Sequence, residues 1–412
     1  MDSFDIHNSR KRVEYARAII QRKFSVENST IASDFLDRLR LENKSWGRIE
    51  NYASSVKRIL YIKDDKQIPA WTKKDIESIH MAIANAEWEN STKKDTLTAL
   101  KRLYHYSVHD EIADKAKGKD YDPTVAWITP GSFRDRYDKI QSKDLLTEAE
   151  IIKMIEAVKQ IGGRYVKRNI ALVFTLFEGA YRPGELLNIK VGGVEFEGDF
   201  IRVHTIGKTG PKSITLVPSF IPIKEWLAEH PDGDNPEAYM WYHNNEQGVM
   251  TYHMLFYLIK RSAQIAEIKK RVWNYLFRHS ALTKYSIMFG NLAKVYGNWS
   301  RESNMLSRYE HLANSDQEDA VLKFHGLKKQ DNSQSILFSK ICPSCKERNS
   351  ADKSHCTKCG ALLSKKLAQQ REAKLQYDTK RIESYTKDVA NLKKDYNELK
   401  EKITKVLKAK PI

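Results

Sequence analysis

Two Cys-x-x-Cys pairs, Cys342/Cys345 and Cys356/Cys359, hold all four cysteines of this 412-residue chain, with ten residues between the pairs. No other feature limits local structure so tightly. Cysteines clustered in one short segment are not a disulfide framework, and they fit a reducing compartment. Four thiolates at this spacing suit a closed tetrahedral zinc site with no open position for catalysis. The segment is too small to fold on an apolar core of its own, so the metal is expected to stabilise it. His355, beside Cys356, is read as a bystander.

The segment after the cysteines carries a different constraint. Ile382, Tyr385, Val389, Leu392, Tyr396, Leu399, Ile403 and Val406 alternate spacings of three and four. That is a heptad seam, expected as a coiled coil over 365–412; a helix docked on the protein's own body is the alternative. Residues 1–110 read as helices with basic faces, within a helical domain expected over 1–120. Ile49, Tyr52, Ala53, Val56, Ile59 and Leu60 form one apolar stripe. Thr72 with Asp75, and Thr92 with Asp95, look like capping boxes opening two more helices.

Glycines, prolines and charges interrupt the pattern over 111–142, and 121–142 is expected as a linker with little structure of its own. A second domain, 143–330, opens at a Thr147/Glu150 capping box. Within it, "IALVFTLF" reads as a buried helix, and Pro183 suits a first helical turn. "VEFEG", "FIRVHTIG" and "SITLVP" read as strands, the last two joined by a hairpin around "KTGPK". Helices are expected to about residue 325. The whole is mostly α with a small antiparallel sheet.

Charge points to a partner. The formal net charge is +17, with 30% charged and 41% hydrophobic residues. Such a surplus favours a polyanion, most simply nucleic acid. The N-terminal stretch has no apolar signal-peptide core, and "IALVFTLF" is too short to span a bilayer. The expectation is a cytoplasmic protein with no membrane contact.

Four short motifs then stand in order: "YRPGELLNI", "IGKTGPKSITLVP", "FRHSALTKYS" and "GNWSRESNMLSRYEHLA". Together they resemble the tyrosine recombinases, the phage-type integrases. The resemblance covers the second domain nearly end to end and, more loosely, the N-terminal helices as a core-binding DNA-clamp domain. It implies a catalytic set of Arg182, Lys208, Tyr275, Arg278, Trp299 and Tyr309, with Tyr309 the nucleophile. Two guanidinium groups suit the non-bridging oxygens of a phosphodiester. Lys208 would protonate the 5′-oxygen as it leaves, with Lys212 a nearby competitor. Trp299 would donate its indole N–H to the phosphate. Tyr275 stands where the family often has a histidine, which leaves the general base open. Glu185 would support Arg182, and His279 would orient Arg278.

The cysteine segment, 338–364, resembles a zinc ribbon. A ribbon followed by a coiled coil resembles archaeal integrases. The resemblance implies a site-specific recombinase, an integrase of a mobile element, working through a 3′-phosphotyrosine without ATP or catalytic metal. Its partners would be double-stranded DNA and three further copies of itself. A type IB topoisomerase shares the two arginines, lysine and tyrosine. A non-catalytic DNA-binding regulator on the same fold is the other alternative.

Overall fold

The computed structural model describes residues 5, 7–113, 120–133, 140–207, 210–246, 248–310, 335–363 and 365–408. Five helices build the N-terminal body: α1 (Ser9–Lys23), α2 (Val26–Leu41), α3 (Trp46–Ile62), α4 (Lys73–Asn85) and α5 (Asn90–His109). Every residue of the expected α3 stripe is buried, and it meets Ile20, Phe35, Leu39 and Leu100 in one apolar core. The Thr72/Asp75 box caps α4: Thr72 Oγ1 accepts from Asp75 N, and Asp75 Oδ2 accepts from Thr72 N at 2.7 Å. The Thr92/Asp95 box does not form. Helix α5 begins at Asn90 with Glu89 as its cap, so Thr92 is already inside the first turn and its carbonyl accepts from Thr96 Oγ1.

The expected linker is also corrected. Asp122 accepts from Thr124 N and caps a short helix α6 (Pro123–Ala126), with Pro123 in its first turn. Val125 and Ile128 are buried in the N-terminal core. The buried Lys101 donates through Nζ to the carbonyls of Ala126 and Ile128, at 2.9 and 2.8 Å. Two apolar side chains and one lysine thus hold residues 122–128 to the first body, where the glycine- and proline-rich composition suggested free chain.

The second body opens with α7 (Glu148–Ile161), capped by the Thr147/Glu150 box, and α8 (Val166–Glu178), buried from Arg168 onward. A short α9 (Pro183–Leu187) follows. Strands β1 (Val194–Glu197), β2 (Phe200–Gly207) and β3 (Gly210–Leu216) form an antiparallel sheet in sequence order. Pairing of Ile201 with Leu216 and Val203 with Ile214 puts four buried residues on the core face. Then come α10 (Phe220–Leu227), α11 (Tyr252–Ile265), α12 (Asn274–Phe289), α13 (Ala293–Gly297) and α14 (Ser307–Glu310). The helices expected from 311 to about 325 lie outside the described residues.

The cysteine segment carries two short antiparallel strands, β4 (Lys340–Ile341) and β5 (Arg348–Asn349). It does not stand alone. Leu337 and Ala351 are buried in the core of the second body. Asp352, its side chain fully buried, accepts an ion pair from Lys159 of α7 at 2.8 Å. Lys353 pairs with Glu225 of α10, and Arg348 with Asp199 beyond β1. The chain ends in one helix, α15 (Lys365–Lys408). Among the described residues, no helix is long and apolar enough to cross a membrane.

Candidate active site

The site begins where α8 stops. Ala180 takes a left-handed backbone, φ +47°, which is costly for a residue with a Cβ. That turn aims its carbonyl at α12, where Arg278 Nη1 donates to it at 2.6 Å. Arg278 Nη2 donates to Gly297 O, also at 2.6 Å. The guanidinium is therefore fixed by two carbonyls from elements far apart in sequence. Arg182 sits two residues after Ala180, at the cap of α9.

Glu185 joins these parts. Its carboxylate is fully buried and accepts from Arg182 through both the backbone N–H and Nη1. It lies 3.6 Å from Arg278 Nη1 and 3.7 Å from Lys212 Nζ. One carboxylate is thus shared by three converging cations and offsets part of their charge, leaving the cluster net positive. Gly207, at the end of β2, lets the hairpin close on it: a Cβ there would fall 2.5 Å from Glu185 Cγ. Glu185 was expected only as a support for Arg182; its reach to Arg278 and Lys212 is set by the fold. Burial lowers the Arg278 pKa, and the neighbouring Arg182 lowers it further.

The two lysines of the hairpin separate. Lys212 is buried, donates to Gly179 O at 2.8 Å and lies over the Tyr181 ring. Burial pulls its ammonium down to about 7, against the pull of Glu185. It supports the loop beneath the arginines and does not line the Tyr309 pocket. Lys208, named above as proton donor, lies outside the described residues.

Tyr309 is brought against the arginines by α14. Arg182, Tyr275, Arg278, His279, Trp299 and Tyr309 line one pocket. The Tyr309 ring is only 4% exposed. It stacks on Trp299 at 5.5 Å between centroids, with His279 at 5.6 Å. Burial raises its phenol pKa and the Arg278 guanidinium pulls it back. Trp299 is held by a tight turn: Asn298 is left-handed at φ +48°, and a Cβ on Gly297 would fall 2.4 Å from the indole ring. Among the described residues its buried Nε1–H has no hydrogen-bond partner. An orphaned buried donor costs free energy unless something fills it, and this one sits in the pocket wall. Burial also raises the Tyr275 phenol, with both arginines opposing.

A separate centre is built by the cysteines. The four Sγ atoms lie within 4.8 Å of one another. Cys342 and Cys359 are 3.5 Å apart, as are Cys345 and Cys356. A tetrahedron with Zn–S bonds of about 2.3 Å has edges of about 3.8 Å, so this donor set fits a zinc ion and is far too open for disulfides. Cys345 N and Asn349 Nδ2 donate to the sulfurs of Cys342 and Cys356. Such N–H···S bonds orient the thiolates and spread their charge.

No protein-family model and no curated protein sequence matches the chain. Solved structures do. The XerH site-specific recombinase in a post-cleavage complex with palindromic difH aligns with a TM-score of 0.53 at 17% identity, over 79% of this chain and 98% of that one. Its pre-cleavage complex gives 0.51 at 16%, over 77% and 97%. A DNA-bound lambda integrase gives 0.50 at 13%, over 75% and 99%. The chain has the tyrosine recombinase fold. At such identities the likeness speaks for the fold, and the chemistry must be argued from the pocket.

Proposed function

We propose that the protein is a site-specific DNA recombinase of the tyrosine class, an integrase that cuts and rejoins DNA through Tyr309. The observation that carries this reading is the pocket in which Arg182, Arg278 and the indole N–H of Trp299, unpaired among the described residues, surround one buried phenol. Three fixed donors around a nucleophile match a phosphodiester, whose non-bridging oxygens gain charge as the phosphorus is attacked. Arg278 is held by two carbonyls and needs no rearrangement to act.

In this reading Tyr309 Oη attacks the scissile phosphorus. The P–O5′ bond breaks, leaving a 3′-phosphotyrosine and a 5′-hydroxyl. Lys208, which follows Gly207 in the sequence, protonates the leaving oxygen. The carbonyls of Ala180 and Gly297 already orient Arg278. His279, its ring 5.6 Å from that of Tyr309, therefore takes the phenol's proton in place of the orienting role expected above, since the Tyr275 phenol is a poor base near neutrality. The new ester conserves the energy of the broken one, so a partner strand reverses the step without ATP. The two arginines supply the charge that a metal would otherwise bring. The Cys342, Cys345, Cys356 and Cys359 centre would hold a structural zinc, as four thiolates fill its coordination.

The N-terminal helical body would be the core-binding half of a DNA clamp, with the second body as its catalytic half. Its binding would weaken steeply with salt. Exchange between two duplexes breaks four strands, one per nucleophile, hence a tetramer at synapsis. The XerH and lambda integrase structures themselves hold DNA.

The test is a suicide duplex carrying a candidate attachment site, denatured after incubation. A covalent adduct that disappears in Tyr309→Phe supports the reading. DNA binding with no adduct on a proven site would overturn it in favour of a regulator. Relaxation of supercoils without exchange between two sites would make it a topoisomerase.

A further inference from the structure

Helix α15 exposes the seam that the sequence marks. Ile382, Tyr385, Val389, Leu392, Leu399 and Ile403 are each between 52% and 67% exposed. The helix is not docked on the protein's own body, and a row of half-open apolar side chains this long calls for a partner. We infer that the partner is a second copy of the same helix, paired in parallel.

Two observations select that occupant. Three of the four a positions, Ile382, Val389 and Ile403, are β-branched, with Tyr396 the fourth, and Leu392 and Leu399 fall at d with Tyr385. That arrangement favours two parallel strands. The flanking charges agree. Asp388 and Asp395 fall at g; Lys393 and Lys400 fall at e of the following heptads. In a parallel pair each g residue faces e of the next heptad on the partner, so Asp388 meets Lys393 and Asp395 meets Lys400, twice over by symmetry. An antiparallel pair would set g against g and e against e, aspartate facing aspartate and lysine facing lysine.

Geometry gives the pairing a consequence. The 44 residues of α15 span about 66 Å at 1.5 Å per residue. The helix leaves directly from the cysteine segment, which Asp352–Lys159 and the buried Leu337 and Ala351 fix to the second body. Parallel pairing therefore gathers two catalytic bodies at one end of the coil; antiparallel pairing would hold them apart by its length. On the recombinase reading, the protein meets DNA already paired, with two nucleophiles delivered together.

The test is the mass of the full-length protein without DNA, by light scattering or sedimentation, at low-micromolar concentration. Wild type is expected at the mass of two chains. Asp388→Lys with Asp395→Lys, and separately Lys393→Asp with Lys400→Asp, should each fall to one chain, and an equimolar mixture should recover two. Unchanged thermal melting of the two bodies shows that the variants still fold, since all four positions are on the exposed helix. A monomeric wild type, or charge variants that stay dimeric, overturns the inference. Neither result touches the Tyr309 adduct: a monomer that still forms it defeats the pairing alone, and a dimer that never forms it defeats the recombinase reading alone.

Discussion

Glu185 Oε2 lies 3.6 Å from Arg278 Nη1, although the two residues belong to different helices, α9 and α12, far apart in the sequence. The same carboxylate holds Arg182. Both arginines are thereby registered to one buried negative charge, and their spacing at the pocket is set by it. Replacing it as Glu185→Gln keeps the shape and removes the charge, leaving Arg182, Arg278 and Lys212 to repel one another. Breaking a buried ion cluster in this way costs about 3–5 kcal/mol. A lower urea midpoint with unchanged denaturant slope, together with loss of adduct, is the expected outcome.

Trp299 offers a finer test. Trp299→Phe keeps an aromatic ring against Tyr309 and removes the indole N–H. If that N–H stabilises the transition state, cleavage slows about 10²-fold while DNA affinity stays near wild type. Single-turnover adduct formation, with binding measured in parallel, separates this from a packing defect, which would lower stability as well.

Zinc should be stoichiometric and structural. Cys356→Ser is expected to lose the metal, measured by elemental analysis. Because the segment is fastened through Asp352 to Lys159, its loss should also lower the melting temperature of the second body, by about 2–4 °C per kcal/mol. A variant that loses zinc and melts as wild type would show that the docking survives without the metal.

Glu178 predicts a pH dependence of stability. Burial pushes its carboxyl up from 4.5 to about 7, against donated hydrogen bonds from Val217 N, Ser219 N and Ser219 Oγ. Between those values the folded state holds a proton that the unfolded state has released. Stability from this group is therefore complete below about 4.5 and lost as pH rises through about 7. Melts across pH 4 to 8 should show a downward slope that Glu178→Gln flattens relative to wild type.

Much of this was legible along the chain. Capping boxes at Thr72 and Thr147 show in the sequence because the partners are three residues apart. The strands of the hairpin and the α3 stripe follow from periodicity, and the cysteine centre from spacing. Thr92 misled because the helix starts three residues earlier, with Glu89 at its cap, and residues 122–128 because a distant lysine on α5 holds them to the first body.

The sequence by itself determined most of the helices, the strands of the hairpin, the clustered thiols and the heptad seam, because each rests on residues within a few positions of one another. It also named Arg182, Tyr275, Arg278, Trp299 and Tyr309, which the fold gathers around one pocket. Only the tertiary structure decided that Glu185 binds three cations, that Lys212 is buried beneath the site, and that the Trp299 donor is left unpaired. It alone docked the cysteine segment on α7 and α10. Buried charge and orphaned donors depend on what the rest of the chain places around them, and no local pattern encodes that.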